Sequence, residues 1–164
     1  MRAHRWAIGS AALSVALIAL VVLASMPTGA GSADRAVPPG SRLAASTHAA
    51  DVVVQVISTH GTLSVQVAYR SPKGWLAAAL PSAPSDAVAA WTGTEGRGPI
   101  PALSVVFGRV PGASVTVVWA DGRRTRVEAA SDGVFVAVRD RFVDATRVRV
   151  LDVTGATVLE IDGF

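Results

Sequence analysis

Valine recurs at every second position in several short segments, and this period of two is typical of β-strands with one buried face. Val52, Val54 and Val56 follow the pattern, as do Val115 and Val117. Of the 164 residues, 26 are valine. The branched Cβ of valine packs well on a sheet and loses rotational freedom in a helix. We therefore predict an all-β fold.

The residues between the alternating segments predict how the strands pair. A two-residue turn at His60-Gly61 would join two strands and place Gln55 opposite Gln66. In that register the apolar side chains of both strands lie on one face, whereas a shift by one residue would move them to the other.

Two further hairpins are predicted near the C-terminus. A three-residue loop at 120–122 pairs Val115 with Val127, whereas a two-residue turn would mix apolar and charged faces. In the last hairpin a two-residue turn at Thr154-Gly155 would place the apolar residues on one face and the charged residues on the other. Its register places Val150 opposite Leu159, Val148 opposite Ile161, Arg149 opposite Glu160 and Arg147 opposite Asp162.

Turn signals at this spacing predict an antiparallel β-sandwich of about eight strands within residues 51–164. The stretch from Ser71 to Pro101 interrupts the pattern. Within it, Ser85-Asp86 precedes Ala87–Trp91 as a helix cap would, so we predict a short helix there.

Residues 1–26 predict a membrane-spanning helix. Ala7–Met26 is an apolar run of 20 residues, enough for a helix to cross a hydrocarbon core of about 30 Å. Arg2 and Arg5 precede it, and the positive-inside rule then exports the rest of the chain. We expect a single-pass cell-membrane protein with its domain outside the cytoplasm. The alternative is a secreted protein whose signal peptide is cleaved near Thr28–Ala30.

Residues 27–50 are rich in alanine, glycine, serine and proline and show no strand or helix period. This composition predicts a flexible linker between the membrane segment and the domain. His48 lies in this linker, where we expect it to be solvated.

Composition excludes several kinds of function. The chain has no cysteine, which excludes disulfides, thiolate metal sites and cysteine nucleophiles. One of its three histidines, His4, precedes the membrane segment, so we expect no three-histidine metal site and no cofactor. From Asp34 onward 13 basic and 12 acidic residues interleave. That net charge of +1 argues against a nucleic-acid partner.

Two pairs of residues are the candidate ligand contacts. Arg124 and Arg126 have only Glu128 beside them on the predicted sheet face, so they could bind an anionic envelope polymer or lipid headgroup. Trp75 and Trp91 flank the interrupting stretch, and they either line a carbohydrate or peptide groove or fill one end of the sandwich.

Several turn-rich segments of the last third are similar to those of a known group of domains. They are Gly108-Arg109-Val110, Ser114-Val115-Thr116-Val117, Ala120-Asp121-Gly122-Arg123, Asp132-Gly133-Val134-Phe135 and Asp152-Val153-Thr154-Gly155. Over residues 105–164 the chain resembles uncharacterised exported β-domains of actinobacterial membrane proteins. More loosely, it resembles carboxypeptidase-regulatory-like and other immunoglobulin-like modules. The resemblance implies a sandwich in the cell envelope and assigns no functional residue.

These observations predict a non-catalytic interaction module of the cell envelope, tethered to the membrane and not an enzyme. The alternative is an envelope hydrolase or carbohydrate-binding domain that uses the insert at 71–101. A pocket that holds two carboxylates, such as Asp86 and Glu95, near both tryptophans would favour the enzyme.

Overall fold

A computed structural model describes residues 37–80 and 88–164, which form antiparallel β-sheets. The strands of these residues are, in chain order, β1 (Arg42–Ala49), β2 (Val52–Thr59), β3 (Thr62–Ser71), β4 (Gly74–Ala79), β5 (Ala90–Thr94), β6 (Leu103–Arg109), β7 (Ser114–Trp119), β8 (Arg124–Glu128), β9 (Val134–Arg139), β10 (Ala145–Leu151) and β11 (Thr157–Asp162). The predicted all-β class is confirmed. The eight predicted strands are present, and the sequence did not predict the three further strands β1, β4 and β5.

The strands of the described residues form three sheets. The amino-terminal sheet has the order β1-β2-β3-β4, the middle sheet β5-β6-β9, and the carboxy-terminal sheet β11-β10-β7-β8. In this order β1, β8 and β9 each lie at one edge of a sheet.

The middle sheet is buried on both faces. Val105 and Phe107 of β6 pack in one apolar cluster with residues of β2 and β3. Val106, which points the opposite way, packs in a second cluster with Val117 and Trp119 of β7. The middle sheet is therefore the central layer of three, with one apolar core on each side.

The predicted register of the first hairpin is confirmed. Gln55 lies opposite Gln66, and the turn residues His60 and Gly61 have φ angles of 48° and 89°, as a type I′ turn requires. The sequence did not predict that the second face is buried too. The Nε2 of Gln66 donates to the Oε1 of Gln55 at 2.8 Å, a bond that satisfies part of the polar capacity of two buried amides.

The predicted three-residue loop between β7 and β8 is also confirmed. Val115 lies opposite Val127, and the N–H of Trp119 donates to the carbonyl of Arg123 at 2.9 Å. Gly122 has a φ of 79°, so a left-handed residue closes the loop.

The last hairpin has the predicted pairs but not the predicted turn. Val150 lies opposite Leu159 and Arg149 opposite Glu160. However, the N–H of Asp152 donates to the carbonyl of Ala156 at 2.9 Å, which makes the loop three residues long instead of two. The register then shifts by one residue next to Val150, and this bulge restores the predicted pairing.

The predicted linker 27–50 requires a correction. Its residues 42–49 form β1, which pairs with β2 and buries Ala49 in the core. The small side chains of this segment gave no apolar period, yet an edge strand needs only its backbone hydrogen bonds and a few core contacts. His48 is exposed on this strand. Residues 27–36 lie outside the described part.

The predicted helix Ala87–Trp91 is wrong where the structure describes it. Ala90 and Trp91 begin β5, which pairs with β6 along its whole length. The side chains of Trp91 and Thr92 point to opposite faces of the strand, and both pack against other parts of the protein. This tertiary packing outweighs the local preference for a short helix. Residue 87 and the predicted cap at 85–86 lie outside the described residues.

No helix within residues 37–80 and 88–164 is long and apolar enough to cross a membrane. The predicted membrane segment, residues 1–26, lies outside the described residues.

Candidate functional site

The outer face of the carboxy-terminal sheet carries four arginines. Thr116 on β7 lies between Arg149 on β10 and Arg126 on β8. Val118, two residues along β7, lies between Arg147 and Arg124 in the same way. Because side chains two residues apart share a face, all four guanidinium groups project from this outer face.

The two arginines of β10 are neutralised by β11, as the sequence predicted. The Nε of Arg147 lies 2.6 Å from an oxygen of Asp162, and the Nε of Arg149 lies 2.7 Å from an oxygen of Glu160. Arg147 also reaches Glu160 at 3.1 Å, so one carboxylate bridges both arginines. The hydrogen bond that Arg147 donates to Asp162 raises the pKa of Arg147 above its ordinary value, and the charges of Asp162 and Glu160 add to this effect.

The two arginines of β8 have no carboxylate opposite them on β7, and Glu128, two residues from Arg126 on the same strand, forms no ion pair with either. Within the described chain neither Arg124 nor Arg126 forms an ion pair, and the side chains of both are exposed. The Nη2 of Arg126 donates to the hydroxyl of Ser114 at 3.1 Å, which orients the guanidinium but leaves its charge unbalanced. These two arginines, called the β8 arginine pair below, are free to contact an anion.

The two candidate tryptophans are not brought together in the described structure. Trp75 on β4 packs against Val53 and Ala68 of the amino-terminal sheet. Trp91 on β5 packs in the cluster between the middle and carboxy-terminal sheets, 5.7 Å from the ring of Phe142.

The indole of Trp91 is held in place by a hydrogen bond, since its Nε1 donates to the carbonyl of Val143 at 3.2 Å. Both tryptophans therefore have packing roles. Of the two carboxylates proposed for an enzyme pocket, Glu95 is exposed and Asp86 lies outside the described residues. No group of three histidine, cysteine or acidic side chains in the described residues could hold a metal ion.

One ion pair that the sequence did not predict fixes the β7–β8 loop beside the arginine pair. The Nη2 of Arg139, at the end of β9, lies 3.0 Å from an oxygen of Asp121 in that loop. The hydrogen bond from Arg139 lowers the pKa of Asp121 below its ordinary value. This contact joins the middle sheet to the loop that positions β8.

A groove also lies along β8, where the edges of the three sheets meet. It has a volume of about 400 Å³. Val134 and Val136 of β9 form an apolar part of its lining, β1 contributes Ala45, Ser46 and Thr47, and β8 with its following residues contributes Val127 to Ala130. The sequence could not predict this groove because it did not predict β1.

No family model matches the chain, and no curated protein or solved structure matches it either.

Proposed function

We propose that this protein is a non-catalytic interaction module of the cell envelope that binds an anionic partner through the β8 arginine pair. One observation carries the proposal: of four arginines on one sheet face, two are matched by carboxylates and two are not. Exposed guanidinium groups bind carboxylate or phosphate oxygens through paired, charge-assisted hydrogen bonds.

The affinity has to come from local contact. The chain from Asp34 onward carries a net charge of only +1, so long-range attraction of a polyanion is weak. Arg124 and Arg126 lie two residues apart on one strand, about 7 Å along it. A partner must therefore present two anionic groups at a similar spacing.

The proposed location rests on the apolar run Ala7–Met26, which follows Arg2 and Arg5. We propose that this run anchors the protein and that the domain lies outside the cytoplasm. Fractionation of cells that produce the full chain should find it in the membrane, with its C-terminus accessible to protease from outside. Recovery of only a soluble species that begins near Gly31 would replace the anchor by a cleaved signal peptide.

The binding proposal is tested with the full chain in zwitterionic nanodiscs. Two fluorescent probes, poly-glutamate and polyphosphate, distinguish a carboxylate partner from a phosphate partner. At about 10 mM salt, where charges interact over about 30 Å, binding of at least one probe is expected, and it should be lost near 1 M salt. The double variant Arg124→Ala, Arg126→Ala should weaken binding by at least about tenfold.

Arg70→Ala combined with Arg97→Ala is the matched control. Both arginines are exposed and lie away from the carboxy-terminal sheet, so the control removes the same charge elsewhere. Its affinity should stay close to that of the parent. An equal loss in both double variants, or no binding of either probe at low salt, would overturn the proposal.

A further inference from the structure

The β8 strand has one unused edge. In the carboxy-terminal sheet of the described residues β8 pairs only with β7. The pairs Trp119–Arg123 and Ala113–Ala129 at its two ends are hydrogen-bonded. Because bonded and non-bonded pairs alternate in an antiparallel ladder, the residues between them at 124, 126 and 128 direct their N–H and C=O groups away from β7.

Those three residues are Arg124, Arg126 and Glu128, and their backbone groups have no partner on that side within the described chain. Two of the three, Arg124 and Arg126, thus carry both a charge without an ion pair and backbone groups without a partner on that side of the described structure. Such an edge is a template for one more strand.

The groove beside this edge suits the second face of an added strand. Side chains of an added strand would alternate between the outer face of the sheet and the groove. On the outer face they would meet Arg124 and Arg126. On the groove side they would meet the half-buried side chains of Val127 and Ala129. The other apolar lining residues on β9, Val134 and Val136, are almost fully buried in the core. An occupant that satisfies both faces alternates acidic with apolar residues.

The opposite half of the same sheet already contains such a pair of strands. On β10 the sequence Arg147-Val148-Arg149 has the same charge pattern as Arg124-Thr125-Arg126 on β8. The neighbouring strand β11 contains Glu160-Ile161-Asp162. Its two carboxylates lie opposite the two arginines, and Ile161 lies opposite Val148. On β8 the two arginines are present in the same spacing, but no acidic strand of the described residues pairs with them.

We propose that an extended segment of a partner protein, with acidic and apolar residues in alternation, adds to β8 as an antiparallel strand. The inference rests on the proposed function and names its partner. Acidic residues of the segment lie opposite Arg124 and Arg126, and apolar residues lie opposite Thr125 and Val127. The N–H groups of the acidic residues donate to the carbonyls of β8, since residues opposite 124 and 126 form hydrogen-bonded pairs.

The sequence of β11 supplies the probe. The peptide acetyl-Thr-Val-Leu-Glu-Ile-Asp-amide, with a short uncharged solubilising tail, places its Glu opposite Arg126 and its Asp opposite Arg124. It is titrated into the full chain in zwitterionic nanodiscs. Saturable binding is expected, with backbone amide shifts in the NMR spectrum of the protein that centre on β8 and its groove. Shifts centred on β10 would instead mean that the peptide replaces β11, and would contradict the proposal.

Two N-methylated peptides then test strand addition. Methyl groups on the amides of Glu and Asp block the donors that face β8, and at least about tenfold weaker binding is expected. Methyl groups on the amides of Leu and Ile, which point away from β8, should leave the affinity nearly unchanged. Both peptides carry the same charge, so a pure charge contact would not distinguish them. Equal affinities, or a loss confined to the Leu and Ile peptide, would overturn the antiparallel strand.

The outcomes separate the two proposals. Binding of poly-glutamate or polyphosphate without binding of the peptide would reject strand addition and leave the anionic partner in place. Failure of all three probes would reject both.

Discussion

Arg149 and Glu160 lie directly opposite each other on β10 and β11, with 2.7 Å between the Nε of the arginine and an oxygen of the glutamate. Each side chain is about one-third exposed, at 35%. The pair therefore agrees with the register of the last hairpin, while water screens much of its attraction.

We expect the Arg149–Glu160 pair to contribute about 0.2–1 kcal/mol to stability. A double-mutant cycle with Arg149→Ala and Glu160→Ala, measured by urea unfolding, gives this coupling energy. It should shrink at high salt because the pair is partly solvated. A coupling of zero at low salt would mean that the ion pair does not stabilise the hairpin.

The buried face of the same hairpin should be far less tolerant. Val150→Asp places a carboxylate in the core, where Val150 is fully buried opposite Leu159 and Val115. An unpaired buried charge costs at least several kcal/mol, so the variant should be largely unfolded in circular dichroism and urea unfolding. Val153→Asp is the control, since Val153 is 90% exposed in the adjacent loop. Similar stability of both variants would show that Val150 does not face the core.

Because residues 42–49 form β1, we expect the folded domain to begin before residue 51. A fragment of residues 37–164 contains the eleven strands that the structure describes and should unfold cooperatively. A fragment of residues 51–164 lacks β1, which leaves the edge of β2 unpaired and removes Ala49 from the core. We expect the shorter fragment to melt at a clearly lower temperature. Equal melting temperatures would mean that β1 adds nothing to the fold.

Acid should destabilise the domain through three aspartates. Hydrogen bonds from Arg139, Arg42 and Thr154 lower the pKa values of Asp121, Asp132 and Asp152 below the ordinary 3.8. A carboxyl group whose pKa is lower in the folded state contributes stability above the unfolded pKa and loses it as pH falls through the folded pKa. The melting temperature should therefore drop as the pH is lowered below about 4.

Asp152→Asn isolates one of these contributions. The Oδ1 of Asp152 accepts hydrogen bonds from the N–H groups of Thr154 and Ala156 and from the Thr154 hydroxyl. An asparagine keeps an oxygen at this position but loses the charge. The variant should be less stable than the parent at neutral pH, and the difference should narrow as the pH falls below 4. A difference that stays constant with pH would show that the charge of Asp152 does not stabilise the turn.

The hairpins were predictable because valine alternation and turn glycines fix both the face and the register. The last hairpin is instructive, since a bulge beside Val150 compensates for a loop one residue longer than predicted. The segments β1, β4 and β5 were not predictable, because alanine, glycine, serine and threonine make up most of each strand and give no apolar period. Their strand structure comes from pairing with the neighbouring strands β2, β3 and β6, which the sequence did predict.

The candidate site was also predictable only in part. Parity alone placed Arg147 and Arg149 opposite acidic residues and left Arg124 and Arg126 without such partners, as the structure has them. The tryptophans could not be assigned in this way, because which cluster each joins depends on the layering of three sheets. The groove depends on the same layering.

Addition of an acidic strand to β8 is tested most directly by exchanging the charges of the β8 arginine pair and of the peptide. The full chain with Arg124→Glu and Arg126→Glu is compared with the parent for binding of Thr-Val-Leu-Glu-Ile-Asp and of Thr-Val-Leu-Lys-Ile-Lys. Both arginines are exposed, so the folded state should be retained, which a thermal melt verifies. If an acidic strand adds beside Arg124 and Arg126, the parent prefers the acidic peptide and the exchanged protein prefers the basic one. An exchanged protein that still prefers the acidic peptide would contradict this strand addition.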